Sequence, residues 1–212
     1  MSKQKQQVMR SLQRLGEGTP IDIVQHSSLR PDGGSVAILG INLAQAPVPD
    51  RRYVADVAMV NYADETIKVL FGQKKMAPEG MLRSLLVIHM SPRAARQFLR
   101  SIDQMATPTL DQIVEKVGTK KEKLELHIGT EPEQTVAFVS NIVAVAVAGR
   151  EACLDFYHAS SFAFANAVSS KKLPIDAVVR VDLRTGLFAA VVDELKKLEV
   201  KFPLEEEEGV TV

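Results

Sequence analysis

Tyr53–Gln73 reads YVADVAMVNYADETIKVLFGQ, and Phe138–His158 reads FVSNIVAVAVAGREACLDFYH. The two stretches align without a gap, Tyr53 on Phe138 and Gln73 on His158, at a constant offset of 85. Each holds an apolar run, a turn (Tyr62–Glu65 or Ala148–Arg150) and a second run. In the first copy Ile67, Val69 and Phe71 alternate with Lys68 and Leu70, the period of two that marks a strand. A duplicated unit implies two copies of one fold packed as a pseudo-dimer. A unit of this size buries only about 60% of the surface its unfolded chain exposes, so two copies gain by sharing a core.

Outward from these stretches both copies continue alike. After Tyr53–Asn61 and Thr66–Gln73, a loop at Lys74–Gly80 leads to a third strand, Leu82–His89. Ser91 has the chemistry of a helix N-cap with Pro92 at the first helical position. Ala94, Ala95, Phe98, Leu99 and Ile102 then form an apolar stripe on a helix reaching about Met105. In the second copy the strands are Val136–Val147, Ala152–His158 and Ala177–Asp182. The helix is Thr185–Leu198, with Leu187, Phe188, Val191, Val192 and Leu195 apolar. The helices align at an offset of 93, Phe98 on Val191, so eight extra residues lie within Ala159–Asp176. Arg184-Thr185-Gly186 replaces the Ser-Pro cap.

The fold class read from this pattern is α+β: two tandem β-β-β-α repeats with antiparallel sheets in a pseudo-twofold arrangement. The expected organisation is a flexible segment over 1–18, carrying a short helical pattern, and a first repeat with an N-terminal strand extension over 19–106. A connector over 107–132 follows, with a helix capped by Thr109 and stopped at Gly118. The second repeat covers 133–202, and 203–212 is an acidic disordered tail containing Glu205–Glu208. Within the extension, Pro20–Gln25 and Ser35–Gln45 read as strands around a turn at Arg30–Gly34, and Ala46–Asp50 ends the second. Leu124, Leu126 and Ile128 alternate with polar residues, a further strand pattern.

Ser140-Asn141-Ile142, the following turn and Leu154-Asp155-Phe156 in the second copy resemble the bacterial domain-of-unknown-function family 3467. Met90-Ser91-Pro92-Arg93-Ala94-Ala95-Arg96-Gln97-Phe98-Leu99 in the first is similar to that family's strand-to-helix junction. The resemblance covers roughly Arg51–Met105 and Glu133–Lys201. Asp56 stands where the second copy has Asn141, and Leu70 where it has Asp155. The family's members resemble single units, so this chain would be a covalent dimer of them. The resemblance implies β-β-β-α units with an antiparallel sheet. It implies no activity and transfers no functional residue.

Composition narrows the function classes. The 212 residues carry 26 Lys plus Arg and 26 Asp plus Glu, a net charge of zero, without the basic surplus of a dedicated duplex-DNA binder. Hydrophobic content is 46%, ordinary for a folded chain. The single cysteine, Cys153, excludes an intramolecular disulfide and suits a reducing compartment. The longest apolar run, Ile142–Ala148, falls far short of the roughly 20 residues of a membrane helix. The N-terminal residues lack the apolar core of a secretory signal. The expectation is a cytoplasmic protein with no membrane contact.

Catalytic and cofactor chemistry finds little support in the pattern. His26, His89, His127 and His158 are scattered, without the i, i+4 spacing of a metal site. His89, at a strand end beside a helix start, reads as a backbone-bonding side chain. Cys153 has no local base and reads as a small buried hydrophobe. Asp56, Asp64, Asp155 and Asp182 show no pairing in sequence, and Asp155 reads as an outward strand residue or a turn-bonding one. Gly33-Gly34 lacks both the P-loop and the dinucleotide spacing. No catalytic residue, metal or cofactor is therefore expected, and the chain is read as not an enzyme.

Two binding features remain. Lys74-Lys75 precedes Pro78 and Lys171-Lys172 precedes Pro174, the same loop of each copy. With Arg93, Arg96 and Arg100 they could contact the phosphates of a nucleic acid, or simply guard sheet margins. The insertion Ser160–Ser170 (SSFAFANAVSS) sets Phe162, Phe164 and Val168 among small residues, either an exposed apolar patch or a cover for a sheet end. The leading reading is a non-catalytic, oligomeric binding or assembly protein, an adaptor or chaperone-like holder that self-associates and takes a protein partner. The alternatives are a single-stranded nucleic-acid binder using the lysine loops and, last, an enzyme. An aromatic content of 5% with no tryptophan offers few stacking platforms for the former.

Overall fold

The period-two runs become strands and the apolar stripes become helices in the structure, a computed structural model. It describes residues 18–29, 35–74, 82–105, 108–122, 124 and 135–202. The expectations on the N-terminal helix, the Arg30–Gly34 turn, the Lys74–Gly80 loop beyond Lys74, the Leu126–Ile128 strand pattern and the acidic tail lie outside these. The described fold is mixed α+β. Its strands are β1 (Thr19–Leu29), β2 (Ser35–Ile41), β3 (Arg52–Val54), β4 (Val57–Ala63), β5 (Thr66–Lys74), β6 (Leu82–Met90), β7 (Val136–Val139), β8 (Ile142–Ala148), β9 (Glu151–His158) and β10 (Lys172–Arg184). Its α-helices are α1 (Pro92–Met105), α2 (Leu110–Lys116), α3 (Ser161–Ser170) and α4 (Thr185–Glu199). Two compact units are present: one of the described residues up to Val48 with Tyr157–Ala177, the other of those within Pro49–Phe156 and Val178–Glu205.

In the larger unit β4, β5 and β6 pair antiparallel in sequence order, and β7 joins the outer side of β6 in parallel. A second sheet runs β8-β9-β10, and β3 joins β10 in parallel. Two expected strands are thus each broken in two. Tyr53–Asn61 divides at Ala55–Asp56 into β3 and β4, and Val136–Val147 divides at Ser140–Asn141 into β7 and β8. The cause is pairing: the leading part of each run hydrogen-bonds to one sheet and the trailing part to the other. It also adds a parallel ladder to each otherwise antiparallel sheet. The β4–β5 turn holds Asp64 and Glu65 at φ 52° and 57°, the left-handed pair of a two-residue hairpin turn.

The helices form where caps and stripes place them. Ser91 Oγ accepts from Ala94 N (3.2 Å), and the buried residues of α1 are the predicted Ala94, Ala95, Phe98, Leu99 and Ile102. Thr109 and Gln112 make a reciprocal capping box on α2, and Gly118 follows it at φ +63°. α4 has no side-chain cap. Its N-cap residue is Arg184, and at its second residue a Cβ on Gly186 would meet the Lys120 carbonyl oxygen at 2.4 Å, while Glu122 N donates to Gly186 O (3.2 Å). Residues 119–122 pass against the start of α4, so glycine stands where α1 has Arg93. One apolar core includes Phe71, Leu86, Phe98, Phe156, Val181 and Phe188. The Phe71 and Phe156 rings lie 6.1 Å apart, inclined at 59°.

In the smaller unit β1 pairs antiparallel with β2 and with the first residues of β10, Thr19 opposite Ile175. β1 outlasts the expected Pro20–Gln25, whereas β2 stops at Ile41 because Asn42 opens a short 3-10 turn at Leu43–Gln45. The Asp22 and Gln45 side chains join at 2.9 Å. Within Ala159–Asp176, the stretch that holds the extra residues, Ser161–Ser170 forms α3, capped by Ser160 Oγ on Ala163 N (3.1 Å), and the strand expected at Ala177 begins at Lys172.

Candidate functional site

Cys153, Asp155, Arg180, Asp182 and Arg52 share one sheet face, because alternate residues of a strand point the same way. Their neighbours Ala152, Leu154, Phe156, Val179 and Val181 take the core face. Arg180 Nε and Nη2 donate to the two carboxylate oxygens of Asp155, both at 2.6 Å, and Asp155 is only 9% exposed. Such a bidentate fork is the strong form of the pair. Hydrogen bonding to Asp155 raises Arg180 above the ordinary arginine value, although burial opposes it. Arg52 Nε donates to Asp182 Oδ2, which raises Arg52 likewise. Asp155 is therefore not turn-bonding; it lies on the face away from the core, as an outward strand residue does, but is covered there, and a buried carboxylate needs a partner, which Arg180 supplies.

Cys153 is half-buried rather than buried, its Sγ 3.7 Å from Asp155 Oδ1. Burial first, then the Asp155 charge, push its thiol up to about 11, so it is protonated at neutral pH and weak as a nucleophile. The cluster offers paired charges and a protonated thiol, which lock a sheet face. Sequence reading missed the pair. Its signal was Asp155 at the position of Leu70 and Arg180 at that of Val87, residues that face each other across β5 and β6.

The other candidates disperse. Asp56 Oδ1 accepts from Lys74 N (2.7 Å), Asp64 sits in a turn, and Asp182 is paired. His89 does not bond the backbone through Nε2, which is buried without a hydrogen-bond partner; across the sheet His89 lies opposite Lys68 on one side and Val139 on the other. His158 is half-buried; the His26 side chain and His127 lie outside the description. Among the described residues no three His, Cys, Asp or Glu side chains group as metal ligands. No helix is long and apolar enough to cross a membrane.

The lysine loops differ locally. Lys74 ends β5 in the larger unit, exposed, and Lys75 is outside the described residues. Lys171 and Lys172, exposed, belong to the smaller unit, where Lys171 closes α3 at φ +55°. Arg93, Arg96 and Arg100 fall on one side of α1 by their i, i+3, i+7 spacing. Arg93 and Arg100 are exposed, whereas Arg96 lies over the Phe202 ring at 5.5 Å.

In α3, Ala163 and Ala167 are buried, Phe162 is 63% and Val168 41% exposed, and Phe164 is half-buried. Phe164 and Val168 lie one turn apart, with Phe162 about 120° round the helix from Val168. The helix carries no charge. Asn166 Nδ2 donates to Phe162 O (2.8 Å), and Ser169 and Ser170 Oγ donate to Asn166 O (2.9 Å each), so these three side chains turn back on the helix's own backbone. Comparison with protein-family models, curated proteins and solved structures finds no match to the chain.

Proposed function

We propose that this chain is an internally duplicated, non-catalytic assembly protein whose docking face for a protein partner is the outer side of α3. The duplication is supported by the strand pairings. Arg52, Tyr53 and Val54 of β3 face Arg180, Val181 and Asp182; Ala137, Phe138 and Val139 of β7 face Val87, Ile88 and His89. The sequence offsets of 85 and 93 convert one set into the other. The bonds beyond each ladder match too, Ala55 N to Asp182 O (2.9 Å) and Ser140 N to His89 O (3.0 Å). Phe71 meets Phe156, its own counterpart, as residues at a twofold axis do. On this reading two β-β-β-α units, the units the resemblance to family 3467 implies, exchange their leading strands, a feature the resemblance does not imply.

The observation that carries the function is α3. An uncharged helix whose Asn166, Ser169 and Ser170 bond its own backbone, with Phe162 and Val168 exposed, fits an apolar polypeptide surface better than a phosphate backbone. The engaged Asp155–Arg180 pair and the protonated Cys153 support a non-catalytic role. The test is native mass spectrometry of protein purified gently, without nuclease, from its own cells, beside Phe162→Ser/Val168→Ser. A polypeptide held by the wild type and lost by the variant is expected; equal retention by both removes α3 from the account. A second reading rests on the arginine side of α1, which carries no acid between Arg93 and Arg100. It requires salt-dependent binding of single strands that Arg93→Glu/Arg100→Glu abolishes.

A further inference from the structure

β8 is an edge strand: it ends the order β8-β9-β10, and among the described residues no strand covers its other side. Soluble proteins guard such edges with lysine, proline, bulges or a covering element. β8 reads IVAVAVA, without lysine or proline. The matching edge strand β4 has Asn61, exposed, where β8 has Ala146. Val143–Val147 is also palindromic about Val145.

We infer that β8 is a self-pairing edge, joining two copies of this chain antiparallel about a twofold axis at Val145. In that register Val145 faces Val145 of the second copy, Val143 faces Val147, and Ala144 faces Ala146. The backbone suits it. The two-residue turn at Gly149-Arg150, with Gly149 at φ +61°, sets Ala148 opposite Glu151. The N–H and C=O groups of Ala148, Ala146 and Ala144 then serve β9, and those of Val143, Val145 and Val147 point to the open edge. These three residues are the ones the twofold matches, giving about six interchain hydrogen bonds at two per bonded pair. Moving the axis to Ala144 or Ala146 keeps only two of the three residues in bonded pairs.

The side chains agree with the same register. Val143, Val145 and Val147 are half-buried against the core. In the dimer each gains a valine neighbour, continuing the core across the axis. Ala144 and Ala146, on the other face, are small enough to leave the approach open. The inference does not rest on the α3 reading, since β8 and α3 belong to different units.

The test is sedimentation equilibrium of the full chain at micromolar concentration, with folding of each variant checked by circular dichroism. The wild type is expected to dimerise. Ala144→Lys/Ala146→Lys places lysine opposite lysine twice and should weaken the dimer by about tenfold or more. Ala144→Lys/Ala146→Glu places opposite charges in both pairs and should restore it. Val145→Pro removes an edge-facing N–H that an unpaired strand does not use, and should yield monomer even where a lysine variant fails to fold. A monomeric wild type, a dimer indifferent to the double lysine or to proline, or a Lys/Glu variant no tighter than the double lysine overturns the inference.

Discussion

Replacing Asp155 by leucine removes the carboxylate that two 2.6 Å bonds tie to Arg180 and leaves a guanidinium without its partner. Breaking a buried pair from one side costs about 3–5 kcal/mol. The Arg180 side chain is 26% exposed, so water compensates in part and the low end, about 3 kcal/mol, applies. Asp155→Leu/Arg180→Val should behave otherwise. It recreates the Leu70–Val87 pair that faces across β5 and β6, a combination this sheet geometry already accommodates. Exchanging a buried ion pair for apolar residues is commonly neutral or stabilising. The double variant should therefore lie within about 1 kcal/mol of wild type, or above it, while each single variant falls well below. Urea unfolding of all four proteins gives the coupling energy directly. In thermal melts the Asp155→Leu loss corresponds to about 6–12 °C, at 2–4 °C per kcal/mol for a chain of this size. A double variant as unstable as the two singles combined refutes the reasoning, because the pair would then contribute without coupling.

Gly186→Ala should destabilise by about 1–3 kcal/mol in urea titration, because its new methyl meets the Lys120 carbonyl at 2.4 Å; wild-type stability would mean residues 119–122 do not pass there. Phe71→Ala and Phe156→Ala should each cost about 3–5 kcal/mol, with a coupling of about 0.5–1.5 kcal/mol between them in a double-mutant cycle. Additive losses would separate the rings. Cys153 titrates near 11 when folded, against an ordinary value of 9.0, so its contribution to stability is whole below about pH 9 and is lost as pH rises toward 11. Its rate of reaction with a thiol reagent should climb over that same range, and rapid reaction at pH 7.5 contradicts the placement.

What the sequence made legible follows from the range of the forces involved. Local signals were read correctly: the Ser91 cap, the α1 stripe, the Thr109 cap and the alternation of Ile67, Val69 and Phe71 depend on residues a few positions apart. The breaks at Ala55–Asp56 and Ser140–Asn141 were not, because each continuous apolar run serves two sheets and only long-range pairing divides it. The parallel ladders escaped for the same reason. α3 was invisible as a helix because SFAFANAVSS lacks a clean apolar stripe: its buried face is two alanines, and its phenylalanines fall on different sides. The covering of Asp155 on its outward face was not legible because Arg180, which makes its burial tolerable, lies 25 positions away. The arginines of α1 were legible as a spaced set, but the stacking of Arg96 on Phe202 depends on where the chain after α4 returns.

Detection of two hydrogen bonds by through-bond nitrogen–carbon couplings tests the duplication most directly: Ala55 N–H to the Asp182 carbonyl, and Ser140 N–H to the His89 carbonyl. The account predicts both, with similar protection of the two amides from exchange. One bond present with the other absent would contradict an exchange of equivalent strands, and with it the internal pseudo-dimer.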